Sequence, residues 1–110
     1  MQIEALLQDY RESASQFSTA RGHRVYLEEY KKSMFSLLMK EAEREGHKTA
    51  AAQEREAYSN EKYVEWLGKL QIAVQEDERL RFRVKAIEME VEVWRSKNAT
   101  ERFERRSYGT

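Results

Sequence analysis

The 110-residue chain contains no cysteine and no proline. Without cysteine there is no disulfide, no thiolate nucleophile and no Cys-based zinc site. The opening residues, MQIEALLQDYRES, lack the basic flank and apolar stretch of a secretory signal. Both absences set the expectation of a reducing, cytoplasmic compartment. Without proline nothing forces a helix to break. Glycine occurs only at 22, 46, 68 and 109. No apolar run approaches the ~18 residues of a membrane span, so no membrane partner is expected. Charge of one sign is missing as well, because 20 Lys+Arg balance 20 Asp+Glu. That balance argues against a uniformly basic nucleic-acid binder and leaves room for local patches.

Chemistry-bearing groups are equally sparse. His23 and His47 are the only imidazoles. Glu43 stands four residues before His47, but Gly46 intervenes as a helix stop. No HExxH pattern occurs, and Glu88, Glu90 and Glu92 cannot all share one helical face. GxGxxG, Walker A and GxSxG motifs are absent. The chain is therefore expected to be no enzyme, with no catalytic residue, metal, cofactor or small-molecule substrate.

What is present is helical. Ala, Leu, Glu, Lys, Arg, Gln and Met dominate, the residues that lose least on entering a helix. From about residue 2 to 45, Ile3, Leu6, Leu7, Tyr10, Ala14 and Phe17 recur at steps of three and four. Leu27, Tyr30, Met34, Leu37, Leu38 and Ala42 continue that face. Gly22 lies in the polar stretch between the two sets, where a helix either bends or is held straight by packing. One long helix is the expectation. Gly46 suits the left-handed position that ends it. Thr49 suits the N-cap of a short Ala-rich helix over 50–58. Ser59-Asn60 offers a second capping site.

A second long helix is expected over about 61–97. Tyr63, Leu70, Val84 and Val91 lie seven apart or at multiples of seven, and so do Trp66, Leu80, Ile87 and Trp94. These eight form a heptad seam that Asp77 interrupts. The strict alternation Ile87-Glu88-Met89-Glu90-Val91-Glu92-Val93 also fits a strand, but no turn signal bounds it. Read as helix, it is apolar on two sides and needs partners on two sides. Asn98 with Glu101 resembles a capping box, so the helix is expected to break there and restart to about 106. Asn98-Ala99-Thr100 also matches the glycosylation sequon, here read as chance. Exposed faces are expected to carry the pairs Glu28–Lys32, Glu65–Lys69, Asp77–Arg81 and Glu101–Arg105.

The fold class that follows is all-α: a long antiparallel helical hairpin with a short connecting helix, one domain over 1–110. A lone hairpin covers one side of each helix, and the apolar stripes are wide. A homo-oligomer, foremost a dimer forming a multi-helix bundle through the seam, is therefore expected. Asp77 is read either as its register device or as a solvent-facing residue at a bend.

Two basic-aromatic stretches stand out. In the last, Arg95, Lys97, Arg102, Arg105 and Arg106 outnumber Glu101 and Glu104, with Trp94, Phe103 and Tyr108 interleaved. Phosphates attract such cations and bases stack on such rings. The bland alternative is a solvated terminal helix whose cations offset its dipole. The second stretch, Arg21 to Lys32 (RGHRVYLEEYKK), admits the same two readings.

The string AIEMEVEVWRSKNATERFERR (Ala86 to Arg106), with YVEWLGKL (Tyr63 to Leu70) upstream, resembles the small helical proteins encoded in temperate bacteriophage early regions near recombination or single-strand annealing genes. The resemblance covers the second half of the chain. It implies a location in the bacterial host cell. It also implies an accessory role in DNA recombination or replication, with single-stranded DNA or a recombination protein as partner. The competing expectation is a protein-interaction module that inhibits a host defence or nuclease complex. Trp66-Leu67-Gly68 is also similar to the tripeptide of secreted Trp-x-Gly helical hairpins, which implies secretion. Here, however, the tripeptide falls inside the helical seam and not in the turn.

Overall fold

Gly46 sets where the first helix stops. Its φ of +106° lies in the left-handed region that glycine enters without a Cβ penalty. Around it the His47 N–H donates to Ala42 O at 3.0 Å and the Gly46 N–H to Glu43 O at 3.1 Å. That pair of bonds is a Schellman motif and satisfies carbonyls the helix end would orphan. The computed structural model describes residues 2–108. They form α1 (Ile3–Arg44), α2 (Ala50–Ser59) and α3 (Glu61–Tyr108), with no strand among the described residues. The all-α class and the three expected helices are thus present, and the alternating stretch 87–93 is helical.

The remaining boundaries are set by single side chains. Thr49 Oγ1 accepts the Ala52 N–H at 3.1 Å and starts α2. Asn60 separates α2 from α3, and its Oδ1 accepts the Lys62 N–H at 2.9 Å. Gly22 does not interrupt α1, and a Cβ there would meet nothing within 4 Å. The expected break at Asn98 does not occur, because α3 runs on to Tyr108. Asn98 lies seven residues after Val91 and is half-buried like it, so it continues a row of the seam and caps nothing. Thr100 Oγ1 donates back to Ser96 O at 3.0 Å, a bond compatible with uninterrupted helix.

Contacts group the chain into two compact units, Met1–Ser18 with Glu78–Thr110, and Thr19–Asp77. In the second unit Leu27, Met34, Leu38, Ala57, Trp66 and Ala73 form a buried cluster. Trp66 Nε1 donates to Leu27 O at 2.9 Å, so the buried indole carries no unpaired donor. Truncating such a buried Trp to Ala costs on the order of 3–5 kcal/mol. Ala57 is the buried residue of α2. Beside it Tyr58 lies 4.8 Å from Phe35 and 5.2 Å from Tyr63, between ring centroids, which ties α2 to both long helices. In the first unit Leu6, Ser13, Leu80 and Ile87 are buried. There α1 and α3 pair antiparallel, Arg83 reaching Asp9 and Ser13 while Glu88 meets the Tyr10 hydroxyl at 3.3 Å.

Asp77 is neither an oligomer register device nor solvent-facing. It has no exposed surface, and its Oδ2 accepts from Arg24 Nη1 at 2.9 Å within the chain. The expected surface pairs are redrawn accordingly. Arg81 pairs with Glu78 at 2.6 Å, Glu28 with Arg24 at 2.9 Å, and Lys32 with Glu29 at 3.0 Å. Arg105 Nε donates to the Glu101 carbonyl at 3.4 Å. No helix among the described residues is long and apolar enough to cross a membrane.

Candidate nucleic-acid interface

The last turns of α3 have no packing partner. Trp94 and Asn98 are half-buried, and every residue from 99 to 108 is exposed. The helix there has lost the apolar seam and gained cations. Arg95, Arg102 and Arg106 are spaced seven and four apart, which places them along one face. The dipole of α3 puts partial negative charge at this end and favours cations on it.

Not all five basic groups are equivalent. Arg95 Nη1 meets Glu92 Oε1 at 3.3 Å, and Arg105 bonds a backbone carbonyl. Among the described residues no ion pair or hydrogen bond engages Lys97, Arg102 or Arg106. Lys97 leaves the arginine face and lines an apolar hollow with Met89, Glu90, Val93 and Trp94. Arg105 shares a shallow surface with Glu101, Glu104 and Tyr108. Phe103 is 70% exposed and Trp94 is half-buried, so Phe103 is the more accessible ring. The structure therefore brings Arg95, Arg102 and Arg106 to one face with Phe103 beside it. Lys97 lies on another face, and Arg105, three residues after Arg102, flanks the arginine face on the side opposite Phe103.

The central stretch is largely engaged within its own unit. Arg24 bonds Glu28 and Asp77, which raise its already high pKa, and Lys32 pairs with Glu29. Lys31 Nζ stands 5.9 Å from the Trp66 ring centroid, a cation–π contact. Tyr26 and Tyr30 are exposed and stacked, with centroids 6.0 Å apart. They line a groove with Trp66, Lys62 and Lys69. Sequence reading missed those α3 partners because nothing local links residues some forty positions apart.

The eight seam residues Tyr63, Trp66, Leu70, Leu80, Val84, Ile87, Val91 and Trp94 are all buried or half-buried within the single chain. Their apolar surface is largely used in intrachain packing, which leaves little of it for a second copy. Large apolar residues outside the seam stay exposed, among them Leu37, Val64, Leu67, Ile72, Phe82, Met89 and Val93.

The tripeptide Trp66-Leu67-Gly68 sits in the second turn of α3, not in a connecting turn. Comparison with known protein families, with curated proteins and with solved structures finds no match for the chain.

Proposed function

We propose that the protein is a non-enzymatic accessory module of the bacteriophage early-region kind that assists DNA recombination or replication. In this reading the exposed end of α3 contacts single-stranded DNA, or a recombination protein that carries it. The observation that carries the reading is Arg102 and Arg106, which have no ion pair or hydrogen bond among the described residues, on an exposed helix end next to an exposed Phe103. Guanidinium groups free of internal carboxylates are available to phosphate oxygens, and an exposed ring is available to a base. Arg95 extends the same face by two turns. Fluorescence anisotropy with a labelled single-stranded oligonucleotide tests it. Binding at low salt that weakens as salt rises is expected. No binding to single- or double-stranded DNA at low salt overturns direct contact.

A second reading is supported by the apolar surface. Val64, Leu67 and Ile72 are exposed on α3, and Leu37 on α1. Val64, Leu67 and Val74 line one shallow apolar surface. Such surface suits a protein-interaction module acting on a host defence or nuclease complex. A stable host partner recovered by affinity capture, with no DNA affinity in the same preparation, favours it. In both readings the chain self-associates, foremost as a dimer, because wide apolar faces remain exposed on the single chain.

A further inference from the structure

A second heptad runs along α3 on the face away from the intrachain seam. Phe82, Ala86, Met89 and Val93 are spaced four, three and four apart, and all four are exposed. The row continues at the same rhythm through Ser96 and Thr100 to Phe103, also exposed. Phe82 is 61% exposed, Met89 70% and Phe103 70%. The alternation of four and three holds over three heptads, apolar from Phe82 to Val93 and at Phe103 and polar at Ser96 and Thr100, and is the spacing of a two-helix seam. The row lies within one compact unit, residues 78–110, and spans about 32 Å at ~1.5 Å per residue. A single solvent-facing helix has no use for it.

We infer that this row is a parallel two-stranded coiled-coil interface with a second copy of the chain. The inference rests on the self-association proposed above and not on DNA contact. Charge complementarity identifies the occupant. With Phe82, Met89, Ser96 and Phe103 at the d positions, the flanking g positions are Lys85 and Glu92, and the e positions include Glu90 and Lys97. In a parallel pair each g residue faces the e residue five positions on in the other strand. Lys85 then meets Glu90 of the second copy, and Glu92 meets Lys97 of the second copy. Both contacts are attractive, and two-fold symmetry makes each twice. Glu92 also forms an ion pair with Arg95 on its own helix, and a carboxylate with two oxygens has room for both cations.

An antiparallel pair fits less well. It keeps an attractive contact between Glu90 and Lys97 of the second copy but sets Lys85 near Arg106, two like charges. It also calls on Arg83, whose Nε and Nη2 already donate to Ser13 at 2.9 Å and Asp9 at 2.8 Å within the chain. The row also gives the alternating segment 87–93 its second partner. Ile87 and Val91 face the intrachain seam, and Met89 and Val93 face the second copy. Lys97 then belongs to this interface, and Phe103 stands at its end, where it also borders the arginine face.

Sedimentation equilibrium of the full chain, with Val93→Glu and Val25→Glu beside it, tests the surface. The wild type is expected to dimerise, Val93→Glu to weaken dimerisation at least about tenfold, and Val25→Glu, on the other unit, to leave it unchanged. Circular dichroism should show the same helicity in all three, because both positions are exposed in the single chain. The absence of native cysteine allows a second measurement that does not depend on destabilising anything. Met89→Cys and Ser96→Cys, made singly, are both expected to form self-disulfides under mild oxidation. Equivalent d positions face each other in a parallel pair, whereas an antiparallel pair allows at most one of the two. A wild type that stays monomeric at about 100 μM overturns self-association itself. A dimer indifferent to Val93→Glu overturns this face alone, and a dimer in which only one cysteine variant cross-links overturns the parallel arrangement. None of these outcomes bears on Arg95, Arg102 and Arg106 as phosphate contacts.

Discussion

Arg24 Nη1 donates to Asp77 Oδ2 at 2.9 Å across 53 residues of sequence, and Asp77 has no exposed surface. Its other oxygen, Oδ1, has no hydrogen-bond partner. One half of a buried carboxylate thus depends on a single guanidinium whose side chain is 29% exposed. A buried ion pair adds little net stability, but removing one partner leaves an uncompensated charge. Arg24→Ala is therefore expected to lower the urea midpoint clearly. The double variant Arg24→Met with Asp77→Leu is expected to recover it to wild type or above. A double variant as weak as Arg24→Ala would show that the pair itself supplies the stability. The pair also opposes a slide of α3 along α1, which would separate Asp77 from Arg24.

Gly22 gives the converse case. It is exposed, lies within α1, and a Cβ added there would meet nothing within 4 Å. Glycine in a helix interior costs up to about 1 kcal/mol relative to alanine. Gly22→Ala is expected to raise stability by that order, read as a higher thermal midpoint with unchanged helicity. Gly68, equally open, should behave the same way. Gly46→Ala should destabilise, because φ +106° is strained for any residue with a Cβ.

The helix boundaries were legible because they rest on local chemistry. Gly46, Thr49 and Asn60 each act within a few residues of themselves. Gly22 was correctly read as tolerable because one poor helix former is outweighed over 42 residues of helix. Asn98 was misread for the opposite reason. Its side chain type favours a cap, but its place in the heptad row after Val84 and Val91 keeps it in the helix. The tertiary pairs were illegible. Asp77 stood out in the seam, but nothing in the sequence pointed to Arg24 as its partner, nor to Arg83 as the partner of Asp9. The seam was legible as apolar, but periodicity does not say which helix covers a face, and the structure buries or half-buries all eight residues within the single chain. The candidate site was legible as a composition and only partly as a geometry, because spacing along one helix sorts Arg95, Arg102 and Arg106 from Lys97.

Asp9 makes a pH-dependent contribution. The hydrogen bond from Arg83 holds its carboxyl below the usual aspartate range; desolvation opposes this, and the Arg83 charge and the Ser13 hydroxyl add to it. A carboxyl whose folded value lies below its unfolded value of about 3.9 stabilises the folded state fully above that value. The contribution is lost as pH falls through the folded value. Wild type and Asp9→Asn should therefore differ most near neutral pH and converge below about pH 4 in thermal midpoint. A gap that stays constant down to pH 2 would show that the Arg83 contact does not depend on ionised Asp9.

The exposed end of α3 links stability to the proposed DNA contact. A helical stretch of about ten residues without packing is marginal in water, since isolated helices below ~12–15 residues rarely persist. It extends from a packed helix and so needs no nucleus, but it should fray. Backbone amides from 99 to 108 are expected to exchange fastest within α3, and those around Leu80 and Ile87 slowest. Single-stranded DNA bound on the arginine face should slow exchange at the end of α3 and leave Leu80 unaffected. Contact through Arg95, Arg102 and Arg106 neutralises about three phosphates, which predicts a slope near −2 in log affinity against log salt. Arg102→Ala with Arg106→Ala should shrink that slope to about −0.7 and weaken binding without altering helicity. Arg21→Ala, exposed in the central stretch, should leave the slope alone. If Arg21→Ala lowers the slope and the α3 pair does not, the phosphate-binding face lies on α1 instead.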